Sequence, residues 1–146
     1  MACNLAIVGV TGAVGKEFLS ILEQRHFPFD SVKMLASIRS AGKKIVFAGK
    51  EYVVEELTRD SFSGIDIALF SAGGARSKEY GSLAAQAGAI VVDNSSAFRM
   101  VPDVPLVIPE INPEKIRENK GIIANPNCST PDFPYSAGAF ETDLLV

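Results

Sequence analysis

At 146 residues with 47% apolar side chains, the chain suits one domain and can bury a sizeable core. Its net charge of −3 leaves no electrostatic footprint for nucleic acid or an anionic membrane, and no apolar run approaches membrane-spanning length. The N-terminus lacks the charged region and long apolar run of a secretory signal, so the expected setting is cytoplasmic.

The chain opens with Leu5-Ala6-Ile7-Val8, a short run typical of a buried parallel strand. It breaks into Gly9-Val10-Thr11-Gly12-Ala13-Val14-Gly15, three glycines spaced G-x-x-G-x-x-G. Val14, Phe18, Ile21 and Leu22 then recur at helical spacing, which predicts that they form one apolar face. Strand, glycine turn and helix in succession make a dinucleotide phosphate cradle. Gly9 permits the turn, Gly12 lets backbone approach a pyrophosphate, and Gly15 lets helix pack on strand. The plainer reading is a simple turn, and the middle spacing is x-x where a single x is commoner.

Arg25 to Asp30 ends the helix and forms a connection. His26, the only histidine, lies in it beside no carboxylate or nucleophile, which favours a structural or solvated role over catalysis. Val32 to Ala36 is a second strand. A site for NAD places an acid at the end of such a strand to bind the ribose 2′-hydroxyl. Here Ser37-Ile38-Arg39-Ser40-Ala41-Gly42-Lys43 contains none. Arg39 can hold a 2′-phosphate by forked, charge-assisted hydrogen bonds, with Ser37 and Ser40 as neutral donors, so the segment favours NADP. A solvated basic loop is the alternative.

Lys43 to Glu55 reads as a strand pair turning at Ala48-Gly49, or as an irregular excursion. Ile65 to Phe70 is a strong strand ending in Ser71-Ala72-Gly73-Gly74, a turn that is expected to face the dinucleotide or simply to connect strand and helix. Arg76 to Ala87 forms a helix stopped by Gly88, and Ala89 to Val92 a further strand. Leu106 to Ile108 is short and flanked by Pro105 and Pro109. A helix should open at Asn112 as N-cap, with Pro113 at its first position, and run through Glu118. Gly121 to Ala124 is the last strand. The alternation implies an α/β fold, a Rossmann-like parallel sheet with flanking helices.

The two cysteines, Cys3 and Cys128, stand near opposite ends, where a disulfide is not expected in a reducing compartment. No clustered histidine joins them to make a metal site. Cys3 reads as a small buried or edge residue. Asn125-Pro126-Asn127-Cys128-Ser129-Thr130 instead places a thiol at a strand end, where this architecture binds ligands. Cysteine ionises near pH 8.5, and a helix N-terminus contributes only about 0.3–1 kcal/mol. An activated Cys128 therefore needs another positive group, a hydrogen bond or bound cofactor charge; an inert buried cysteine is the other reading. Arg99, also at a strand end, suits an anionic substrate. An NADP site beside a thiol suggests acyl or aldehyde chemistry through a thioester.

The glycine motif, Ser37 to Lys43, Ser71 to Gly74, Asp93-Asn94-Ser95-Ser96-Ala97-Phe98-Arg99 and Asn125 to Thr130 together resemble bacterial aspartate-semialdehyde dehydrogenase. The resemblance covers residues 1–130 in order. It implies reduction of β-aspartyl phosphate by NADPH to aspartate semialdehyde with release of phosphate, a step toward lysine, threonine, methionine and diaminopimelate. It further implies that Thr11, Gly12, Ala13 and Val14 line the pyrophosphate, and that Arg39 and Ser40 hold the 2′-phosphate. Gly9, Ser37, Ser71, Ala72, Gly73 and Asn94 complete the implied cofactor set. Arg99 matches the substrate-phosphate ligand, Cys128 the nucleophile, and Asn127 a group orienting the acyl carbon. The family is homo-oligomeric and acts on a small molecule. Asn-Cys-Ser-Thr fits these enzymes better than the related acetylglutamyl-phosphate reductases.

After Thr130 the pattern departs from the family: residues 131–146 form a divergent tail in which Pro134 would interrupt a helix at about 3 kcal/mol. The expectation is an NADP-binding domain at residues 1–130, truncated before the substrate domain and incomplete for turnover. A catalytically silent NADP-binding or assembly module is the competing possibility.

Overall fold

The structure is a computed structural model, and it describes residues 3–127. In chain order its regular elements are β1 (Cys3–Val8), α1 (Ala13–Gln24), β2 (Phe29–Ala36), β3 (Lys44–Phe47), β4 (Lys50–Val53), β5 (Glu55–Glu56), β6 (Ile67–Phe70), α2 (Gly74–Gln86), β7 (Ile90–Asp93) and β8 (Ile122–Ala124). Short 3₁₀ turns cover Ile38–Ser40, Arg59–Phe62 and Pro113–Glu118.

Six strands form one sheet in the order β5-β2-β1-β6-β7-β8, every neighbouring pair parallel. Strands are added outward from β1 on one side, then from β6 on the other. This is the doubly wound arrangement, with its reversal between β1 and β6.

β1 is central, and its residues Leu5, Ala6, Ile7 and Val8 are all buried. Successive side chains alternate between faces. Ala6 and Val8 pack with Phe62, Phe70 and Ala84 of α2, while Leu5 and Ile7 pack with Leu19 and Leu22 of α1. The two helices therefore cover opposite faces. Each buried leucine on α1 contributes about 1.5–3 kcal/mol to that attachment.

The face of α1 differs from the one its spacing predicts. Of the four predicted positions Leu22 is buried and Phe18 packs against the core, but Val14 and Ile21 are 41% and 40% exposed, and Gly15 and Leu19 are buried in their place. Contact with the strand passes through Gly15, whose missing side chain lets the helix approach. That rotates the buried stripe by one residue.

Residues 44–53 resolve into an antiparallel hairpin, β3 with β4, turning at Ala48 (φ +48°) and Gly49 (φ +73°). Both turn residues lie in the left-handed region, as two-residue hairpin turns of this hand require. Phe47 points inward and stacks on Phe29 with ring centroids 5.3 Å apart, so the hairpin adds to the α1-side core. Glu55 and Glu56, which pair with Leu35 and Ala36, carry no apolar alternation and give no strand signal. Their charges protect a sheet edge.

Between β7 and β8 the expected helix is a 3₁₀ turn, and Asn112 does not cap it by its side chain. Its Oδ1 accepts from the Ile108 N–H at 2.7 Å and its Nδ2 donates to the Leu106 carbonyl at 3.0 Å. The preceding loop has taken the cap's hydrogen-bonding capacity. Leu106 makes only an isolated parallel bridge to Ala124. Pro105 and Pro109 lack the N–H groups that a longer ladder needs.

Candidate functional site

The glycine turn brings three strand ends together. Gly9 has φ +88°, and a Cβ there would lie 2.7 Å from the Ser71 carbonyl oxygen. Its N–H donates to the Leu35 carbonyl at 2.8 Å, so β1, β2 and β6 converge on one residue. Gly12 donates its N–H to the Gly9 carbonyl at 2.9 Å and stands as the extended N-cap of α1. A Cβ on Gly15 would strike the Gly9 carbonyl oxygen and come within 2.7 Å of the Val10 Cα.

Helix geometry leaves the N–H groups of Ala13, Val14 and Gly15 without intrahelical acceptors. No side chain caps this end, and its first turn contains no acid. Ala13 and Val14 are exposed. An uncapped, acid-free helix head beside a glycine turn fits a pyrophosphate, because backbone donors and helix dipole both favour negative charge.

Beside it lies a cleft of about 210 Å³. Gly9, Thr11 and Gly12 line it from the turn, Ala36 and Ser37 from the end of β2, and Leu57 from beyond β5. Ser71 and Ala72 line it from the end of β6, and Arg76 from the first turn of α2. The Ser71 N–H reaches the Val8 carbonyl at 2.8 Å, which extends the ladder to the cleft wall. Gly73, with φ +84°, is the N-cap of α2.

The segment proposed to read the ribose lies against this turn. Thr11 Oγ1 donates to Ser40 Oγ at 3.4 Å, and the Ser40 N–H donates to the Ser37 carbonyl at 2.8 Å. Arg39 is exposed and is not among the residues that line the cleft. Sequence reading missed Arg76. A signal was present, since a cation in a helix's first turn opposes the dipole and calls for another reason to be there.

A second group lies at the ends of β7 and β8. The Asn94 N–H donates to the Phe70 carbonyl at 3.0 Å, and Asn94 Oδ1 accepts from Asn125 Nδ2 at 2.7 Å. Half-buried Arg99 spans both strand ends, donating from Nε to the Asn125 carbonyl at 2.9 Å and from Nη2 to the Asn94 carbonyl at 3.1 Å. Two backbone acceptors thus fix the guanidinium plane, and no acid among the described residues forms an ion pair with it. Fully buried Asp93 accepts from Ser95 Oγ at 2.6 Å, and Ser95 Oγ accepts from the Ala97 N–H at 3.1 Å. Phe98 packs against Gly81 of α2, where a Cβ would meet its ring at 2.9 Å. These contacts shape the loop that carries Arg99.

Asn127 is exposed at the end of the described chain, and Cys128 lies outside the described residues. Cys3 sits at the amino end of β1, whereas the cleft opens beyond the carboxyl end. Partial burial, then Asp66 and Asp30, push its thiol above the ordinary cysteine range, with the chain's amino group opposing them. His26 has φ +48° and follows α1. Its N–H donates to the Glu23 carbonyl at 3.1 Å and the next N–H, of Phe27, to the Leu22 carbonyl at 2.9 Å. That is a helix-terminating pair of bonds and a structural role. Among the described residues there is no metal-binding cluster and no helix long and apolar enough to cross a membrane.

Residues 4–119 match the family model for the semialdehyde dehydrogenase NAD binding domain. The aspartate-semialdehyde dehydrogenase of Aquifex aeolicus is 59% identical over 133 residues, which are 89% of this chain and 39% of that protein. A crystal structure of aspartate semialdehyde dehydrogenase II from Vibrio cholerae, complexed with ASA, superposes with a TM-score of 0.89 at 48% identity, over 94% of this chain and 47% of that one. The enzyme of Candida albicans, solved with NADP, superposes with a TM-score of 0.80 at 26% identity, over 97% of this chain and 48% of that one. The chain thus spans less than half the length of each of these relatives.

Proposed function

This chain belongs to the semialdehyde dehydrogenase NAD-binding domain family, and we propose that it is the dinucleotide-binding part of an NADP-dependent, phosphorylating aspartate-semialdehyde dehydrogenase. The observation that carries the reading is the uncapped glycine cradle beside a cleft at the β1/β6 reversal, where open α/β sheets take dinucleotides. The substrate class follows the names of the Aquifex and Vibrio relatives.

In this reading Gly9 and Thr11 to Val14 hold the pyrophosphate. Ser37, Arg39 and Ser40 take the 2′-phosphate, a preference supported by the lack of acid from residue 37 to 43 and by the NADP of the Candida enzyme. Ser71, Ala72, Gly73 and Asn94 face the rest of the cofactor. Arg99 binds the substrate phosphate. The Cys128 thiolate attacks the acyl carbon of β-aspartyl phosphate, phosphate leaves with the electrons of the broken C–O bond, and an acyl thioester remains on sulfur. Asn127 orients that acyl group. A nicotinamide cofactor held by these residues would supply hydride at the acyl carbon, and Cys128 would then leave as thiolate from the aldehyde product. The domain extends over residues 1–130, with 131–146 a divergent tail, and the enzyme works in the cytoplasm.

The test joins this chain to the C-terminal portion of a relative and assays phosphate-dependent reduction of NADP with aspartate semialdehyde. Activity that disappears in Cys128→Ala is expected; no activity with the thiol intact overturns the enzyme reading. For the cofactor, Arg39→Ala should weaken NADPH roughly 10- to 100-fold and leave NADH nearly unchanged, the worth of charge-assisted hydrogen bonds. Titration of both nucleotides checks this, and an unaltered preference removes Arg39 from the site.

A further inference from the structure

We infer that Arg76 lays its guanidinium plane on the adenine ring of the bound nucleotide and is thus a further cofactor-binding residue. The inference rests on the dinucleotide reading above and adds to it the occupant of one end of the cleft.

Three observations converge on it. Arg76 is the one charged side chain among the described residues that line the cleft. It is exposed, and no hydrogen bond or ion pair holds it elsewhere among the described residues, so its guanidinium is available to a ligand. It also stands in the first turn of α2, where the helix dipole disfavours a cation.

The surroundings choose between the ligand's parts. The pyrophosphate belongs at the head of α1, which covers the sheet face opposite α2. The ribose and its phosphate belong with Ser37, Arg39 and Ser40. What remains beside Arg76 is an apolar wall of Ala36, Leu57 and Ala72, all lining the same cleft. An apolar wall with one planar cation suits a flat aromatic base, whose π-face accepts a guanidinium by stacking and cation–π attraction. A phosphate would gain the charge but find no donating side chain on that wall, whose three residues are all apolar.

The experiment titrates this chain and its Arg76→Ala variant with NADPH, NADH and adenosine 2′-monophosphate. Because Arg76 is exposed, its truncation removes no core packing; far-ultraviolet circular dichroism checks that the variant is folded. Stacking predicts a roughly 3- to 30-fold loss for all three ligands, with the NADPH-to-NADH ratio unchanged. Loss confined to NADPH and adenosine 2′-monophosphate would assign Arg76 to the 2′-phosphate and overturn the inference. Loss for the two dinucleotides only would assign it to the pyrophosphate, with the same result. Unchanged binding of all three overturns it as well. A native chain that binds none of them fails the dinucleotide reading and this inference with it, an outcome distinct from tight native binding that the variant retains.

Discussion

A thiol surrounded by acids is a poor nucleophile, and Cys3 illustrates the point. Its partial burial disfavours the thiolate, and Asp66 and Asp30 add like charge, so less of it is ionised at neutral pH than of a free cysteine. Alkylation by iodoacetamide, followed site by site in peptide mass spectra, should be slower at Cys3 than at a free cysteine at pH 7, with its rise with pH displaced upward. Fast labelling at pH 7 would contradict the stated field. Arg99 shows the converse arrangement. Its charge is held by two carbonyl oxygens and no carboxylate among the described residues, which fixes direction without neutralising the cation. His26 was legible as structural from its neighbours alone. Its left-handed backbone was not, because the residue type gives little hint that the chain will terminate α1 there.

The glycine turn and α1 act as one element. Gly15 is its hinge of closeness, since any Cβ meets the backbone of Gly9 and Val10, which cannot rotate away as a side chain would. Gly15→Ala should therefore cost about 1–3 kcal/mol or more in chemical denaturation, the usual penalty for overpacking a tight contact. Gly12→Ala is the comparison: its Cβ would stand 3.3 Å from the Gly9 carbonyl oxygen, a contact that a shift of a few tenths of an ångström relieves. Equal stability for Gly15→Ala and the native chain would show that helix and strand can separate freely. The same element explains a misjudged face. Apolar spacing chose Val14 and Ile21, but the closest approach to the sheet is made by a residue with no side chain, which hydrophobic periodicity cannot register. β5 escaped for a related reason, since two glutamates on an edge owe their strand to the backbone of β2 rather than to burial.

For the molecule as a whole, the order of strands matters more than their number. β1 and β6 are adjacent although 58 residues separate the end of one from the start of the other, at Val8 and Ile67. The cleft exists because the chain winds away from that seam in both directions. Local chemistry sufficed for the strand–glycine–helix unit, for the acid-free segment after β2 and for the alternation that implies a parallel sheet, since each depends on residues within one turn or one strand. Arg76 entering the cleft, Asn112 stitching a loop and Arg99 bridging two strand ends depended on partners from 4 to 26 residues away or on other elements altogether. Such meetings arise when separate faces pack, and packing geometry is a property of the assembled layers that no single stretch of sequence contains.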